Sequence, residues 1–170
     1  MRRLSKIYSD DPNLPYKTTK LNALYTKAEI DGLFAKWQIR DVYWHYDPEH
    51  NEVFVQFKIV ETVENVPVNV AAKVEAPTIW DHKTRNRAEA VNWNISMRVL
   101  YWFLKTHLEA AYLRQSSKTA AFLPYLVSSD GQTVLHEVLI PHLNQLDQLQ
   151  ALPEIDKPSE TKKEKVIDVE

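Results

Sequence analysis

The chain of 170 residues contains no cysteine and only two glycines, Gly32 and Gly131. The lack of cysteine excludes a disulfide framework, cysteine-ligated zinc, iron–sulfur clusters and thiol catalysis. Two isolated glycines cannot form a glycine-rich phosphate loop, a dinucleotide-binding fingerprint or a nucleophile elbow. No apolar run approaches the ~18 residues that a membrane span requires, so we expect a cytoplasmic protein with no membrane contact.

The formal net charge of −2 conceals an uneven distribution of charge along the chain. Residues 29–81 hold ten acids and four bases, whereas residues 82–118 hold seven bases and two acids. Residues 1–28 are also basic, with six bases and two acids. The two basic segments can form a surface for nucleic acid, or they can pair with the acidic segment within the fold or across subunits. The sequence leaves both alternatives open.

Changes in composition and periodicity predict three regions: an extended basic arm (1–15), a single α+β domain (16–152) and a disordered charged tail (153–170). Thr26 lies three residues before Glu29, which is the spacing of a capping box. We therefore expect a first helix from Thr26 to about Gln38, with one apolar stripe.

The middle of the chain predicts an antiparallel meander followed by a long helix. Apolar residues alternate in three runs, which read as strands at 41–46, 53–59 and 66–74, with a polar turn at 61–65. Thr84 or Asn86 can cap a helix that reaches about Gln115. Two apolar stripes on this helix indicate that it contacts further elements or a second subunit, so we expect a homo-oligomer or a protein complex.

Residues 122–127 and 133–140 flank Asp130-Gly131, a strong turn signal that predicts a C-terminal hairpin. A short amphipathic helix over residues 143–152 would close the domain. The predicted fold class is therefore α+β, with a small antiparallel sheet, made of the meander and this hairpin, packed on a long central helix.

Candidate catalytic sites have little support in the sequence. The six histidines never occur at the helical spacings that place two metal ligands on one face. Asp41, Glu75 and Asp81 lie near predicted strands, and carboxylates on neighbouring strands can hold Mg²⁺ in nucleases. We expect no cofactor and no metal, and we keep a Mg²⁺-dependent nuclease as the second alternative function.

The most suggestive set lies on the predicted central helix, where residues spaced by 7, 4, 3 and 4 share one face. Cations, an amide and an aromatic ring on one face provide phosphate contacts and a stacking plane for a single strand. Aromatic residues and a lysine on the outer sheet face resemble a base-stacking platform. The predicted nucleic-acid-binding residues are Arg85, Arg87, Asn94, Arg98, Tyr101, Lys105, Tyr43 and Lys58.

Several segments carry a family resemblance, among them Tyr43-Trp44-x-Tyr46-Asp47, the Trp-rich helix and Phe122-Leu123-Pro124-Tyr125. Through these segments the chain resembles a family of uncharacterised proteins from phages and mobile elements. The resemblance covers about residues 26–140. The resemblance implies a setting of DNA handling and carries over no catalytic residue. The order of helix, three strands and helix is also similar to double-stranded-RNA-binding and strand-annealing folds, an analogy at the level of fold alone.

From these patterns we expect a non-enzymatic protein that binds single-stranded DNA or RNA. The alternative is a structural or adaptor subunit of a larger assembly, with the two-striped helix and the tail as its docking elements.

Overall fold

A computed structural model describes residues 6–128 of the chain. These residues form an α+β fold, as the sequence predicts, and they contain two sheets where the sequence predicts one. The elements, in chain order, are β1 (Ile7–Tyr8), α1 (Ala23–Lys36), β2 (Arg40–Asp47), β3 (Glu52–Val63), β4 (Val66–Glu75), β5 (Ile79–Asp81), β6 (Ala90–Val91), α2 (Trp93–Tyr112), α3 (Lys118–Ala121), a 3-10 turn (Leu123–Tyr125) and β7 (Leu126–Val127).

The larger sheet has the strand order β2-β3-β4-β7, and every neighbouring pair is antiparallel. It confirms the predicted meander, and Trp44, Val55 and Val74 lie side by side across its first three strands. The turn between β3 and β4 is tighter than predicted. Glu64 and Asn65 alone form it, both with positive φ, so pairing continues through most of the segment predicted as a turn.

Both long helices pack on one face of this sheet, which we call the inner face. Leu100, Leu104 and Leu108 of α2 are almost fully buried, as is Phe34 of α1. The Phe34 ring lies 4.9 Å from that of Phe57 on β3, measured between centroids. The predicted packing of a small antiparallel sheet on a long central helix is therefore confirmed.

The starts of both helices differ from the predicted positions. Asn22 caps α1, since its Oδ1 accepts a hydrogen bond of 2.7 Å from the backbone N–H of Tyr25. Thr26, the predicted cap, is fully buried inside the helix. Asn92 caps α2 in the same way, with a 3.2 Å bond from the N–H of Ile95. An asparagine just before each helix thus replaces the caps predicted at Thr26 and at Thr84 or Asn86.

Residues that were predicted as the start of α2 belong to a second, smaller sheet of order β1-β5-β6. Trp80 of β5 pairs with Val91 of β6, so the chain between them is a hairpin. Tyr8 of β1 pairs with Trp80 in parallel, so part of the predicted N-terminal arm is held by hydrogen bonds. This parallel contact spans the whole of α1 and the meander and has no local sequence signal.

At the other end, β7 pairs with β4 through Leu126 opposite Ala72. Phe122, just before it, is fully buried against Phe57. The second arm of the predicted hairpin, the predicted helix at 143–152 and the predicted tail at 153–170 lie outside the described residues.

Candidate nucleic-acid interface

Arg98, at the centre of the predicted helix site, is engaged within the fold. Its Nη1 donates a 2.5 Å hydrogen bond to Oε2 of Glu29 on α1, and only 14% of its side chain is exposed. The guanidinium also lies 4.5 Å from the ring centroid of Tyr101. Tyr101 itself packs against the core. Arg98 therefore joins α2 to α1, and neither Arg98 nor Tyr101 is fully exposed to a ligand.

The rest of the helix face is also occupied by internal contacts. Asn94 accepts a 2.9 Å hydrogen bond at Oδ1 from the N–H of Ala23, at the start of α1. Lys105 lies 3.6 Å from Glu109 and over the ring of Trp102. Tyr16 stacks on the same Trp102 ring with a centroid separation of 5.7 Å. The polar face of α2 thus holds α1 and the N-terminal segment.

The outer face of the larger sheet, opposite the helices, carries aromatic rings. His45 stacks on Phe54 at 4.6 Å between centroids, and the exposed Tyr43 lies 6.4 Å from the same ring. No helix of the described part of the chain covers these three rings. The Phe54 ring is nevertheless covered by His45 and by the ammonium of Lys73, which lies 4.1 Å from its centroid. Tyr43 is the exposed ring of this face and can accept a planar group such as a nucleobase.

Lysines on this outer face have carboxylate partners. Lys58 donates to Asp41 at 2.8 Å, and this hydrogen bond lowers the pKa of the Asp41 carboxyl below its usual range. Lys73 lies 2.9 Å from Glu75 and 3.4 Å from Glu52. Burial opposes the charge of Lys73, but the two carboxylates outweigh it and raise its pKa. The aromatic face is thus close to neutral or acidic, so phosphate contacts must come from elsewhere.

The hairpin between β5 and β6 carries the predicted cations that have the fewest contacts with the rest of residues 6–128. Thr84 and Arg87 close its tip, with a 2.9 Å bond from the N–H of Thr84 to the carbonyl of Arg87. Lys83 and Arg85 are exposed, and neither has an ion pair or hydrogen bond to any of residues 6–128. Arg87 is 67% exposed and reaches Asp81 only at 4.0 Å. We call residues 83–87 the basic tip.

Glu89, two residues after the basic tip, is paired with the N-terminal segment. Glu89 accepts a hydrogen bond from the ammonium of Lys6 and one of 2.8 Å from the Tyr8 hydroxyl, and these bonds lower its pKa. The Tyr8 ring also stacks on His82 at 4.0 Å with nearly parallel planes. The N-terminal strand therefore supports the hairpin and leaves its tip with a net positive charge.

The eight predicted residues thus fall into three separate groups. Arg98, Tyr101, Lys105 and Asn94 are in internal contacts of α2, Tyr43 and Lys58 are on the sheet, and Arg85 and Arg87 are on the basic tip. Lys83 shares that tip. The base of the hairpin is held by the contacts of Glu89 with Lys6 and Tyr8. These contacts depend on the parallel pairing of β1 with β5, which the sequence does not indicate.

Other site types find no support in the described region. Residues 6–128 contain no group of three His, Asp or Glu side chains placed to hold a metal. Asp41, Glu75 and Asp81 each bond a different partner: Lys58, Lys73 and Asn92 respectively. None of the helices in residues 6–128 is both long and apolar enough to cross a bilayer.

Comparisons with protein families, with curated proteins and with solved structures found no match.

Proposed function

We propose that this protein is a non-enzymatic nucleic-acid-binding protein, of the phage or mobile-element type that its sequence resembles, and that it holds single-stranded DNA or RNA. The observation that carries the proposal is the basic tip, where Lys83 and Arg85 are exposed and have no carboxylate partner among residues 6–128. The predicted cations of α2, Arg98 and Lys105, have carboxylate partners within the fold. We therefore assign the phosphate contacts to the hairpin.

The tip is chemically suited to phosphates. Guanidinium groups donate paired N–H bonds to phosphate oxygens, and an ammonium adds a compact charge. A tight hairpin end projects these groups with little loss of backbone entropy on binding, because the Thr84–Arg87 pairing already fixes the turn. Arg85 and Arg87 are the residues of the predicted site that we retain for this role.

The preference for single strands rests on the outer sheet face. Bases of a single strand are free to stack on exposed rings, and each such contact contributes about 1–3 kcal/mol. Tyr43 supplies an exposed ring there, supported by the stacked pair of His45 and Phe54. A duplex has its bases already stacked and would gain nothing from this face.

Filter binding with a labelled oligonucleotide at low salt tests the proposal. The double variant Lys83→Ala/Arg85→Ala should weaken binding by about tenfold or more, since phosphate contacts supply most of the non-specific affinity. The matched control Lys58→Ala/Lys105→Ala removes the same charge from paired lysines and should change affinity little. Tyr43→Ala should weaken binding to a single strand and leave binding to a duplex unchanged. Equal losses in both double variants would contradict the role of the tip.

A second candidate function, an adaptor subunit of a larger assembly, is favoured by a different observation. An open apolar groove lies beside the edge strand β2, and Leu24 at its rim is 79% exposed. Exposed apolar patches on soluble domains often mark protein contacts. Light scattering on the purified chain together with filter binding separates the two: a large assembly that retains no oligonucleotide at low salt favours the adaptor.

A further inference from the structure

Strand β2 has a pairing partner on one side alone within the described residues. It pairs with β3, and none of residues 6–128 pairs with its other edge. A bulge at the start of the strand, where Asp41 has a φ of 51°, leaves residues 43–47 as a regular stretch. This stretch, Tyr-Trp-His-Tyr-Asp, contains no proline or lysine, the residues that commonly protect exposed edges.

An apolar groove of about 300 Å³ runs along the same edge. It lies between β2, the first turn of α1 and the first turns of α2, where Trp44, Trp93 and Met97 line it. Leu24 and Tyr46, both exposed, stand at its rim. The groove and the unpaired strand edge are therefore one continuous surface that combines free backbone groups with apolar side chains.

The charge of Lys27, which lines the groove, is balanced by a neighbouring residue of α1. Lys27 and Asp31 on α1 form an ion pair of 2.8 Å. Asp31 also accepts a 2.9 Å bond from the indole N–H of Trp44, and Lys27 lies over the Trp44 ring. The surface is therefore suited to a neutral, apolar partner that also offers an extended strand.

We propose that this partner is a second copy of the chain, and that two β2 strands pair antiparallel. The two larger sheets then join into one, to which residues 6–128 of the two copies contribute eight strands. A two-fold axis brings the same surface of both copies together. The β2 edge of each copy then pairs with the β2 edge of the other, and Leu24 of each copy enters the groove of the other. The ion pairs are also self-complementary, because the axis reverses the order of Lys27 and Asp31 in the second copy.

The register follows from the length of the regular stretch. All five residues 43–47 pair when the axis passes through His45, so His45 lies opposite His45 of the second copy. On the inner face, Trp44 of each copy then lies opposite Tyr46 of the other. Aromatic pairs of this kind are favourable cross-strand neighbours, and they cover the two groove mouths.

The mass of the full chain in solution is the first test. Analytical ultracentrifugation should find twice the 19.9 kDa of the monomer. Leu24→Lys should raise the dissociation constant of the dimer by about tenfold or more, because it places a charge in the groove of the other copy. The matched control Leu113→Lys, at a leucine that is 63% exposed on the end of α2, should leave the constant unchanged. Circular dichroism melting of both variants checks that each is folded.

The absence of cysteine from the chain makes a crosslink at the axis easy to interpret. Directly opposed residues of antiparallel strands have Cβ atoms about 4.5–5.5 Å apart, close to the disulfide range of about 3.5–4.5 Å. His45→Cys should therefore oxidise to a covalent dimer at low protein concentration. His50→Cys, on the exposed turn after β2, should not.

A monomer at every concentration would overturn the proposal and indicate that another part of the chain, or a different partner, covers β2. A dimer that forms no His45→Cys disulfide and tolerates Leu24→Lys would also overturn it, since its interface would lie elsewhere. Neither outcome depends on whether the protein binds nucleic acid.

Discussion

Arg98 of α2 and Glu29 of α1 are joined by a 2.5 Å hydrogen bond between side chains that are 14% and 29% exposed. The pair lies 69 positions apart in the chain and fixes the two long helices against each other. Because it neutralises the central cation of α2, we expect a polyanion to bind elsewhere. The helix face that the sequence predicts as a ligand site contains a contact between the two long helices.

Glu29→Gln tests the structural role of this pair. Removal of the carboxylate leaves a largely buried guanidinium without its counter-charge, so we expect a loss of about 1–3 kcal/mol in the free energy of unfolding. Urea denaturation measures it. Glu109→Gln breaks the more exposed contact with Lys105 and should cost less than about 1 kcal/mol. Equal losses in the two variants would mean that the Arg98–Glu29 pair contributes no more to the free energy of unfolding than the exposed Lys105–Glu109 pair.

Thr26→Val should stabilise the protein. The Thr26 hydroxyl is fully buried in α1 and has no hydrogen-bond partner among the described residues. Valine has almost the same shape and removes the cost of an unsatisfied hydroxyl, so we expect a gain of about 1 kcal/mol. The control is Thr106→Val, since that exposed hydroxyl donates to the carbonyl of Trp102 and its loss should bring no gain. A destabilised Thr26→Val variant would show that the hydroxyl has a partner.

Glu61 predicts a dependence of stability on pH. Its carboxylate accepts bonds from the backbone N–H of Thr119, at 2.5 Å, and of Lys118, at 3.1 Å, and so holds α3 against β3. Burial would raise the pKa of Glu61, but these hydrogen bonds outweigh it and lower the pKa below its usual value. A lowered carboxyl pKa stabilises the fold above the unfolded-state pKa of about 4.3, and this contribution is lost as the pH falls.

Glu61→Gln should therefore lower the free energy of unfolding by about 1 kcal/mol at pH 7, and the difference from the unmodified protein should shrink below about pH 4. Urea denaturation at a series of pH values measures both effects. Glu49→Gln, on the exposed turn after β2, provides the control and should show no such trend. A difference that stays constant with pH would mean that the charge of Glu61 contributes nothing.

The strands were predictable because their signal is local. In β3 the side chains of Val53, Val55, Phe57 and Ile59 point to one face, and all four are buried as the period of two predicts. The helix starts were less predictable, because several capping residues stand near each one. Thr26 with Glu29 satisfies the capping-box spacing, but the apolar face of α1 extends one turn earlier, and packing places Thr26 inside the helix.

The candidate site could be predicted only in part, for a related reason. Helical spacing correctly places Arg98, Tyr101 and Lys105 within one helix, but spacing does not reveal which carboxylate faces them. The partner of Arg98 comes from another helix, and the support of the basic tip by Lys6 and Tyr8 comes from a parallel strand contact across 70 residues or more. Whether a cation can bind a ligand therefore depends on whether the fold brings a carboxylate from a distant part of the chain to it.

The salt dependence of oligonucleotide binding tests the central claim, that the basic tip and not the α2 face meets the phosphates. The logarithm of the binding constant for a single strand falls with the logarithm of salt concentration by about 0.7 per neutralised phosphate. Lys83→Ala/Arg85→Ala should therefore reduce the slope by about 1.4, whereas Lys58→Ala/Lys105→Ala should leave it unchanged. An unchanged slope in the tip variant, or an equal reduction in both, would contradict the account.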